Sequence, residues 1–394
     1  MTQGLCILGS TGSIGQNCLR VVESLPDRFR VVALSAGKNL DVLAKQVVKH
    51  HPKIVVVSKS EFREQLRERL NRLEYTRRVK IIFGVEGQVE ASTRDDVDFV
   101  VSASHGTTGL VATYEAVRAG KHVGLANKET LVAAGELVMR AAAKRRIEVL
   151  PIDSEHCAVH QCLRAGKPKE VKRIILTASG GPFLKTPRRL FDSLSPAQAL
   201  KHPIWRMGGR ITIDSATLVN KGLEIIEAHW LFGVAAGQID VIIHPESIIH
   251  SMVEFNDGSV MAQLGVPDMR IPIQYALTYP DRVAATQRGL GLDLIAARRL
   301  HFEKPDTGRF PSLDLARQAL VQGGIMPCVL NAADEVAVEA FLDNRLRFSA
   351  IPRLIEEVMR QMGSYRAVNS LEDVLEGDRE ARSRAAQVIS AISA

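Results

Sequence analysis

Asp153-Ser154-Glu155 sets two carboxylates two residues apart, directly after an apolar run at 147–152. Such a pair cannot share a helix face, but it can converge from a strand end or a loop. With a third carboxylate it makes an oxygen-rich set for a hard divalent ion such as Mg2+ or Mn2+. The adjoining His156, Cys157, His160 and Cys162 offer softer, zinc-like ligands. On a helix, 156 and 160 share a face while 157 and 162 point elsewhere, so four ligands cannot close on one ion. The two cysteines are therefore expected to pack in a core.

A second chemical stretch runs from His202 to Glu227 (HPIWRMGGRITIDSATLVNKGLEIIE). Its first part, 202–210, combines glycine hinges, Trp205 and two arginines, as expected of a flap that closes over an anionic substrate and expels water. Asp214 is then expected to cap a helix whose polar stripe is Thr217, Asn220, Lys221, Glu224 and Glu227. Leu218, Val219, Leu223, Ile226 and Trp230 take much of the remaining surface. A polar stripe is commonly a solvent face. Here it holds an amide and an ammonium one turn from a carboxylate, behind Ser215. Upstream, Ser179-Gly180-Gly181 follows a strand at 172–178 and could offer hydroxyl and N–H donors to an anion. Ser195-Pro196 with Gln198 reads as a capping box that opens a helix.

Near the N-terminus, Gly9-Ser10-Thr11-Gly12-Ser13-Ile14-Gly15 lies between a strand and a helix at 15–24. Its glycines let the backbone approach a pyrophosphate, and the helix start offers N–H groups to that charge, so a dinucleotide site is expected. An NAD site would place an acidic residue near the end of the second strand. That position reads Ser35-Ala36-Gly37-Lys38-Asn39, with a lysine and no carboxylate, which predicts NADPH over NADH. Ala126-Asn127-Lys128-Glu129 ends a later strand and faces the same kind of crevice.

These residues need elements to position them. Apolar runs at 4–8, 30–35, 53–58, 98–103, 121–126 and 147–152 alternate with helix-period segments such as 40–49 and 130–144. That alternation predicts a doubly wound parallel sheet. Strands are expected at 240–244, 248–255 and 259–264 around the hairpin signal Asn256-Asp257-Gly258, giving a mixed α+β region. A looser connector spans 279–304, and helices are expected at 312–322, 330–343, 351–361 and 371–393. The boundaries so drawn are 1–152, 153–278, 279–304 and 305–394.

The 394 residues, 46% hydrophobic and 24% charged with mean hydropathy +0.01, describe a soluble globular chain of more than one domain. No apolar stretch approaches the ~18–20 residues of a bilayer span, and nothing reads as a secretory signal. Five scattered cysteines suit free thiols in a reducing cytoplasm. The net charge of +7 concentrates in Arg63–Lys80, where arginines alternate with glutamates as on a solvated helix. Only Phe62 and Tyr75 interleave with them, so nucleic-acid binding is not expected.

The segments GSTGSIG, AGKN at 36–39, LANKE at 125–129, DSEH, TASGGPF at 177–183, HPIWRMG, DSATLVNKGLE at 214–224 and LNAADEVAVEAFL at 330–342 carry a resemblance across nearly the whole chain. The sequence resembles the 1-deoxy-D-xylulose 5-phosphate reductoisomerases. This resemblance implies an N-terminal Rossmann-like domain, a central catalytic α+β domain and a C-terminal helical bundle in a cytoplasmic homodimer. The implied reaction converts 1-deoxy-D-xylulose 5-phosphate to 2-C-methyl-D-erythritol 4-phosphate in non-mevalonate isoprenoid precursor synthesis. The implied cofactors are NADPH and Mg2+, Mn2+ or Co2+. Thr11, Gly12, Ser13, Ile14, Gly37, Lys38, Asn39, Asn127, Glu129 and Gly208 would hold NADPH. Asp153, Glu155 and Glu224 would bind the metal. Lys128, Ser154 and Glu155 would contact the hydroxy-ketone end of the substrate, and Ser179, His202, Ser215, Asn220 and Lys221 its phosphate end. Lys128, Asp153, Glu155, His202 and Glu224 are the residues expected to carry catalysis, with Trp205 and Met207 in the flap. Arg206 and Arg210 depart from the family's usual WSMG followed by a lysine. The alternatives are another NADP-dependent oxidoreductase acting on a small phosphorylated or acidic substrate, using Cys157 or Cys162, and a non-catalytic NADPH- or nucleic-acid-binding protein.

Overall fold

The structure is a computed structural model that describes residues 2–104, 106–205, 208–285, 287–363 and 366–393. Two of the flap residues singled out above, Arg206 and Met207, lie outside the described residues. The chain groups into two compact units, one of residues 1–130, 138–157 and 268–290, the other of 131–137, 158–267 and 291–394.

The first unit begins with β1 (Gln3–Leu8), α1 (Ser13–Ser24), β2 (Phe29–Ala36), α2 (Leu40–His50), β3 (Ile54–Val57) and α3 (Glu61–Arg72). It continues through β4 (Lys80–Phe83), α4 (Gly84–Thr93), β5 (Phe99–Ser102), α5 (Leu110–Arg118) and β6 (His122–Leu125). Helix α6 (Glu129–Arg145), β7 (Val149–Pro151) and α7 (Ser154–Leu163) follow. The strands form one sheet of order β4-β3-β2-β1-β5-β6-β7, and every pairing is parallel. Both faces are covered, so strands such as Ile54–Val57 are buried along their whole length and read as unbroken apolar runs. The strand order reverses at β1. In sheets of this type, the crevice beyond the carboxyl ends at that reversal is where ligands bind.

The second unit holds β8 (Val171–Ala178), α8 (Pro196–Ala199), α9 (Gly209–Thr217), α10 (Val219–Phe232), β9 (Ile239–Ile243), β10 (Ile249–Phe255) and β11 (Val260–Leu264). The sheet order is β11-β10-β8-β9, antiparallel except where β8 pairs β9. The expected hairpin is present: Gly258 takes φ +88°, and the Phe255 N–H donates to Ser259 O at 2.9 Å. Helix α11 (Arg270–Thr278) returns to the first unit, where Ile273, Ala276 and Leu277 join the buried core with Leu5, Cys18 and Leu150. After α12 (Leu294–Ala297) come α13 (Ser312–Gln322), α14 (Met326–Leu342), α15 (Ile351–Met362) and α16 (Leu371–Ser393). These C-terminal helices group with the β8–β11 sheet rather than apart from it. Helix α13 crosses α10 closely enough that a Cβ on Gly222 would meet the Ala316 methyl at 2.8 Å. The grouping also divides the expected 279–304 connector after Leu290.

Candidate active site

In the first unit, each glycine of the 9–15 turn has its own geometric reason. Gly9 takes φ +83°, and a Cβ there would lie 2.4 Å from the Ala103 carbonyl oxygen. A Cβ on Gly15 would lie 2.5 Å from the Gly9 oxygen, so the turn cannot widen. Gly12 is the N-cap of α1, in extended conformation (φ −74°, ψ 173°), with no side-chain cap. The first N–H groups of a helix have no intrahelical partner, and a diphosphate can accept from them. Gln46 locks the turn from α2, accepting from Ser10 Oγ and donating to Ser10 O, both at 2.8 Å. Thr11, Ser13 and Ile14 therefore sit on a preorganised backbone.

At the end of β2, Gly37 and Lys38 are exposed, and Asn39 Oδ1 caps α2 by accepting from Val42 N at 3.2 Å. The nearest following carboxylate, Asp41, is taken by Arg69 at 2.7 Å. With Asp41 paired to Arg69, Lys38 is the charged residue of the Gly37–Asn39 segment at this strand end. Asn127 uses its whole amide within the protein: Nδ2 donates to Ser104 O and Gly106 O, and Oδ1 accepts from Thr130 N and Oγ1. It clamps the loop after β5 to the start of α6, where Glu129 is the first residue.

The strand register brings Lys128 to Asp153. β6 and β7 are parallel neighbours with Leu125 opposite Pro151, so both residues emerge at the same carboxyl edge. Lys128 Nζ lies 2.5 Å from Asp153 Oδ2, and Lys128 is only 5% exposed. Asp153 O accepts from Cys157 N at 2.8 Å as α7 begins, and Ser154 Oγ donates to Glu155 Oε2. The carboxylates of Asp153 and Glu155 offer oxygens within 4.8 Å of each other. Two hard oxygen donors converging at a helix start fit a divalent cation. Among the described residues, no cysteine joins a metal-holding group. Cys157 and Cys162 are buried, and burial pushes the Cys162 thiol up to about 11, which removes the thiolate a catalytic cysteine needs.

In the second unit, β8 delivers Ser179 beside His202, with Oγ and Nε2 3.0 Å apart. His202 Nδ1 accepts from the backbone N–H of Ile204 (3.2 Å) and Trp205 (2.9 Å), so the ring proton sits on Nε2 and points to Ser179. Burial lowers the His202 pKa, which favours this neutral form. Gly181 takes φ +68°, and a Cβ there would lie 2.6 Å from the Ser215 oxygen, so the Ser-Gly-Gly turn rests directly on α9. Ser215 itself is partly exposed, and Gly208 at the N-cap of α9 is exposed.

Asp214 corrects one expectation. It lies inside α9, not at the N-cap of the next helix, because Leu218 enters the left-handed region (φ 60°) and separates α9 from α10. The polar stripe on α10 is not a solvent face either: Lys221, Glu224 and Glu227 are 3%, 1% and 0% exposed. Glu224 Oε1 accepts from Asn220 Nδ2 at 2.6 Å, and Oε2 accepts from Lys221 Nζ. Sequence reasoning passed over two further residues. His250 is buried beside Trp205, with ring centroids 6.3 Å apart. Arg309 Nη2 donates to the carbonyls of Phe183, Leu184 and Thr186 and so holds the loop after Gly181. Neither carries a motif signal, since a lone histidine on a strand and an arginine in a turn before a helix look ordinary.

Three family models match the chain. Residues 5–135 match the model described as 1-deoxy-D-xylulose 5-phosphate reductoisomerase. Residues 149–232 and 264–384 match two models of that enzyme's C-terminal domains. The reductoisomerase of Citrifermentans bemidjiense is 51% identical over 98% of this chain and 99% of its own length. That of Chlorobaculum tepidum is 49% identical over 98% of this chain and all of its own. Among solved structures, the Zymomonas mobilis enzyme in complex with NADPH superposes with TM-score 0.91 at 40% identity, covering 99% of both chains. A reductoisomerase bound to NADPH, fosmidomycin and magnesium gives TM-score 0.93 at 39% identity, again over 99% of each chain.

Proposed function

The chain belongs to the 1-deoxy-D-xylulose 5-phosphate reductoisomerase family, and on that premise we propose which of its residues carry each part of the work. The protein is an NADPH- and divalent-metal-dependent oxidoreductase that rearranges and reduces 1-deoxy-D-xylulose 5-phosphate to 2-C-methyl-D-erythritol 4-phosphate. When bound, the cation polarises the substrate's carbonyl and adjacent hydroxyl oxygens, and NADPH supplies the hydride.

Asp153 and Glu155 hold the cation, and Glu224 is the third ligand that the family likeness assigns. The hard oxygen set supports Mg2+ or Mn2+. Lys128 stabilises oxyanion charge at the hydroxy-ketone end, held in place by Asp153, while Ser154 orients that end through its hydroxyl. His202 presents Nε2–H and Ser179 its hydroxyl to the phosphate, joined by Ser215, Asn220 and Lys221. The phosphate anchor gives binding energy remote from the reacting carbons. Thr11, Gly12, Ser13 and Ile14 hold the diphosphate of NADPH and Lys38 its 2′-phosphate. Asn127 acts on the cofactor by holding the Ser104 and Gly106 carbonyls, and Gly37, Asn39, Glu129 and Gly208 complete that site.

The observation that carries this reading is the Lys128–Asp153 pair at the head of α7, with Glu155 one residue beyond Ser154. Among the described residues no helix is long and apolar enough to cross a membrane, and the five buried free cysteines support a reducing cytoplasm. A homodimer is supported by β11, an edge strand on which Val260, Met261 and Leu264 are 48%, 42% and 36% exposed. An apolar edge of that kind is a template for pairing with a second copy. The test is NADPH absorbance at 340 nm with 1-deoxy-D-xylulose 5-phosphate and Mg2+ or Mn2+, repeated with EDTA. Metal-dependent oxidation is expected. Oxidation that persists in EDTA removes Asp153 and Glu155 from the chemistry.

A further inference from the structure

Helix α9 is only nine residues long, and its first turn is tied to the C-terminal helices by charge. The Arg210 guanidinium reaches Glu335 Oε1 at 2.7 Å, Asn331 Oδ1 at 3.0 Å and Asp334 Oδ2 at 3.5 Å, all on α14. Its Nε lies 3.6 Å from Asp214, one turn further along α9. Glu335 gives its other oxygen to Arg382 of α16 at 2.6 Å, and Arg382 holds Asp378 at 2.7 Å. Four carboxylates thus share two guanidinium groups, with Asn331 and Asp334 fully buried.

Burial pushes the Asp334 carboxyl up to about 6 against the pull of Arg210. Glu335 is also opposed by burial, yet Arg210 and Arg382 hold it below the ordinary range. A buried charge cluster of this kind is a poor source of net stability compared with apolar packing. What it supplies is a fixed geometry. A guanidinium fork sets distance and angle to several acceptors together, which an ammonium cannot do.

Ser215 lies five residues beyond Arg210, about 7.5 Å along the helix axis. Its carbonyl supports Gly181 of the Ser179 turn. We propose that Arg210 is a positioning residue for the substrate's phosphate, fixing α9 on α14 so that Ser215 and the Ser179 turn keep their mutual register. Glu335 and Arg382 extend the anchor to α16. This inference rests on the reading that Ser179 and Ser215 bind that phosphate.

The test compares Arg210→Lys with the wild-type enzyme, varying 1-deoxy-D-xylulose 5-phosphate and NADPH separately. The lysine keeps the charge and loses the fork. The KM for the sugar phosphate should rise about tenfold, with kcat within about twofold and the NADPH KM unchanged. If Arg210→Lys does not fold, Glu335→Ala decides the same question, because it removes the 2.7 Å acceptor of Arg210 on α14 together with the link to Arg382. A folded variant with wild-type KM for the sugar phosphate, or an equal rise in both KM values, overturns the inference. Wild-type protein that folds but never oxidises NADPH overturns the functional reading itself, and the inference with it.

Discussion

Glu224 shows how much a single side chain must do here. Its two oxygens accept from Asn220 and Lys221 within one turn of α10, and it is almost wholly buried. A glutamine at this position keeps one acceptor oxygen, turns the other into an NH2 donor facing Asn220 or Lys221, and withdraws the negative charge a cation requires. Glu224→Gln should therefore lower kcat by about 100-fold or more, the scale of losing one well-placed electrostatic contact. Its denaturation midpoint should fall as well, because Lys221 keeps a buried charge and loses the opposing charge of Glu224, so activity is compared on variant protein shown to be folded. Equal activity in steady-state assays removes Glu224 from the site. Lys128 and Asp153 teach the complementary lesson. They lie 25 positions apart and nothing local links them, so only the β6–β7 register reveals the pair.

Among the elements, α6 is broken where its backbone leaves helical geometry at Ala134 (φ −136°, ψ 26°), and the next residue is Gly135. A Cβ there would lie 2.2 Å from the Trp230 indole, which packs from α10. Gly135→Ala must displace that ring, an overpacking cost of about 1–3 kcal/mol that urea denaturation can measure. An unchanged midpoint would mean that the indole turns aside freely. The alternating apolar runs made most of the parallel sheet legible, because short unbroken apolar runs between helix-period segments fit strands buried on both faces. β4 escaped notice since it is a four-residue edge strand with Lys80 and Phe83 exposed. Helix α11 also escaped, although Pro272 in its first turn is a start signal. The Asp214 error has a physical source: Asp followed by a helix-period pattern suggests a cap, but the break falls at Leu218, a residue rarely found at positive φ. Side-chain type alone put the candidate residues forward, whereas the contacts of Arg210 and Arg309 behind them became visible only in three dimensions.

For the whole molecule, four histidines set the acid limit. Burial lowers the pKa of His50, His160, His202 and His250. Each is neutral in the folded protein where the unfolded chain, near pKa ~6.5, already takes a proton. The unfolded state then binds more protons, so stability falls as pH drops below about 6.5. Asp334 has the opposite sign: its folded pKa of about 6 lies above the unfolded value, so its contribution is lost as pH rises through that range. Chemical denaturation between pH 5 and 7 should therefore show stability rising with pH, more steeply in Asp334→Asn than in the wild type. A flat profile in both would mean that the histidines are solvated.

One feature of the chain's route bears on its birth. Helix α11 closes the core around Leu5 and Leu150, yet about 110 residues separate it from the end of the preceding segment of that unit, Cys157. On a ribosome adding ~5–20 residues per second, those residues take roughly 5–20 s to emerge. Throughout that interval the apolar face awaiting Ile273 and Leu277 has no cover from its own chain. The nascent protein is thus a natural client for a chaperone during that interval, and a slow codon before Arg270 lengthens its exposure.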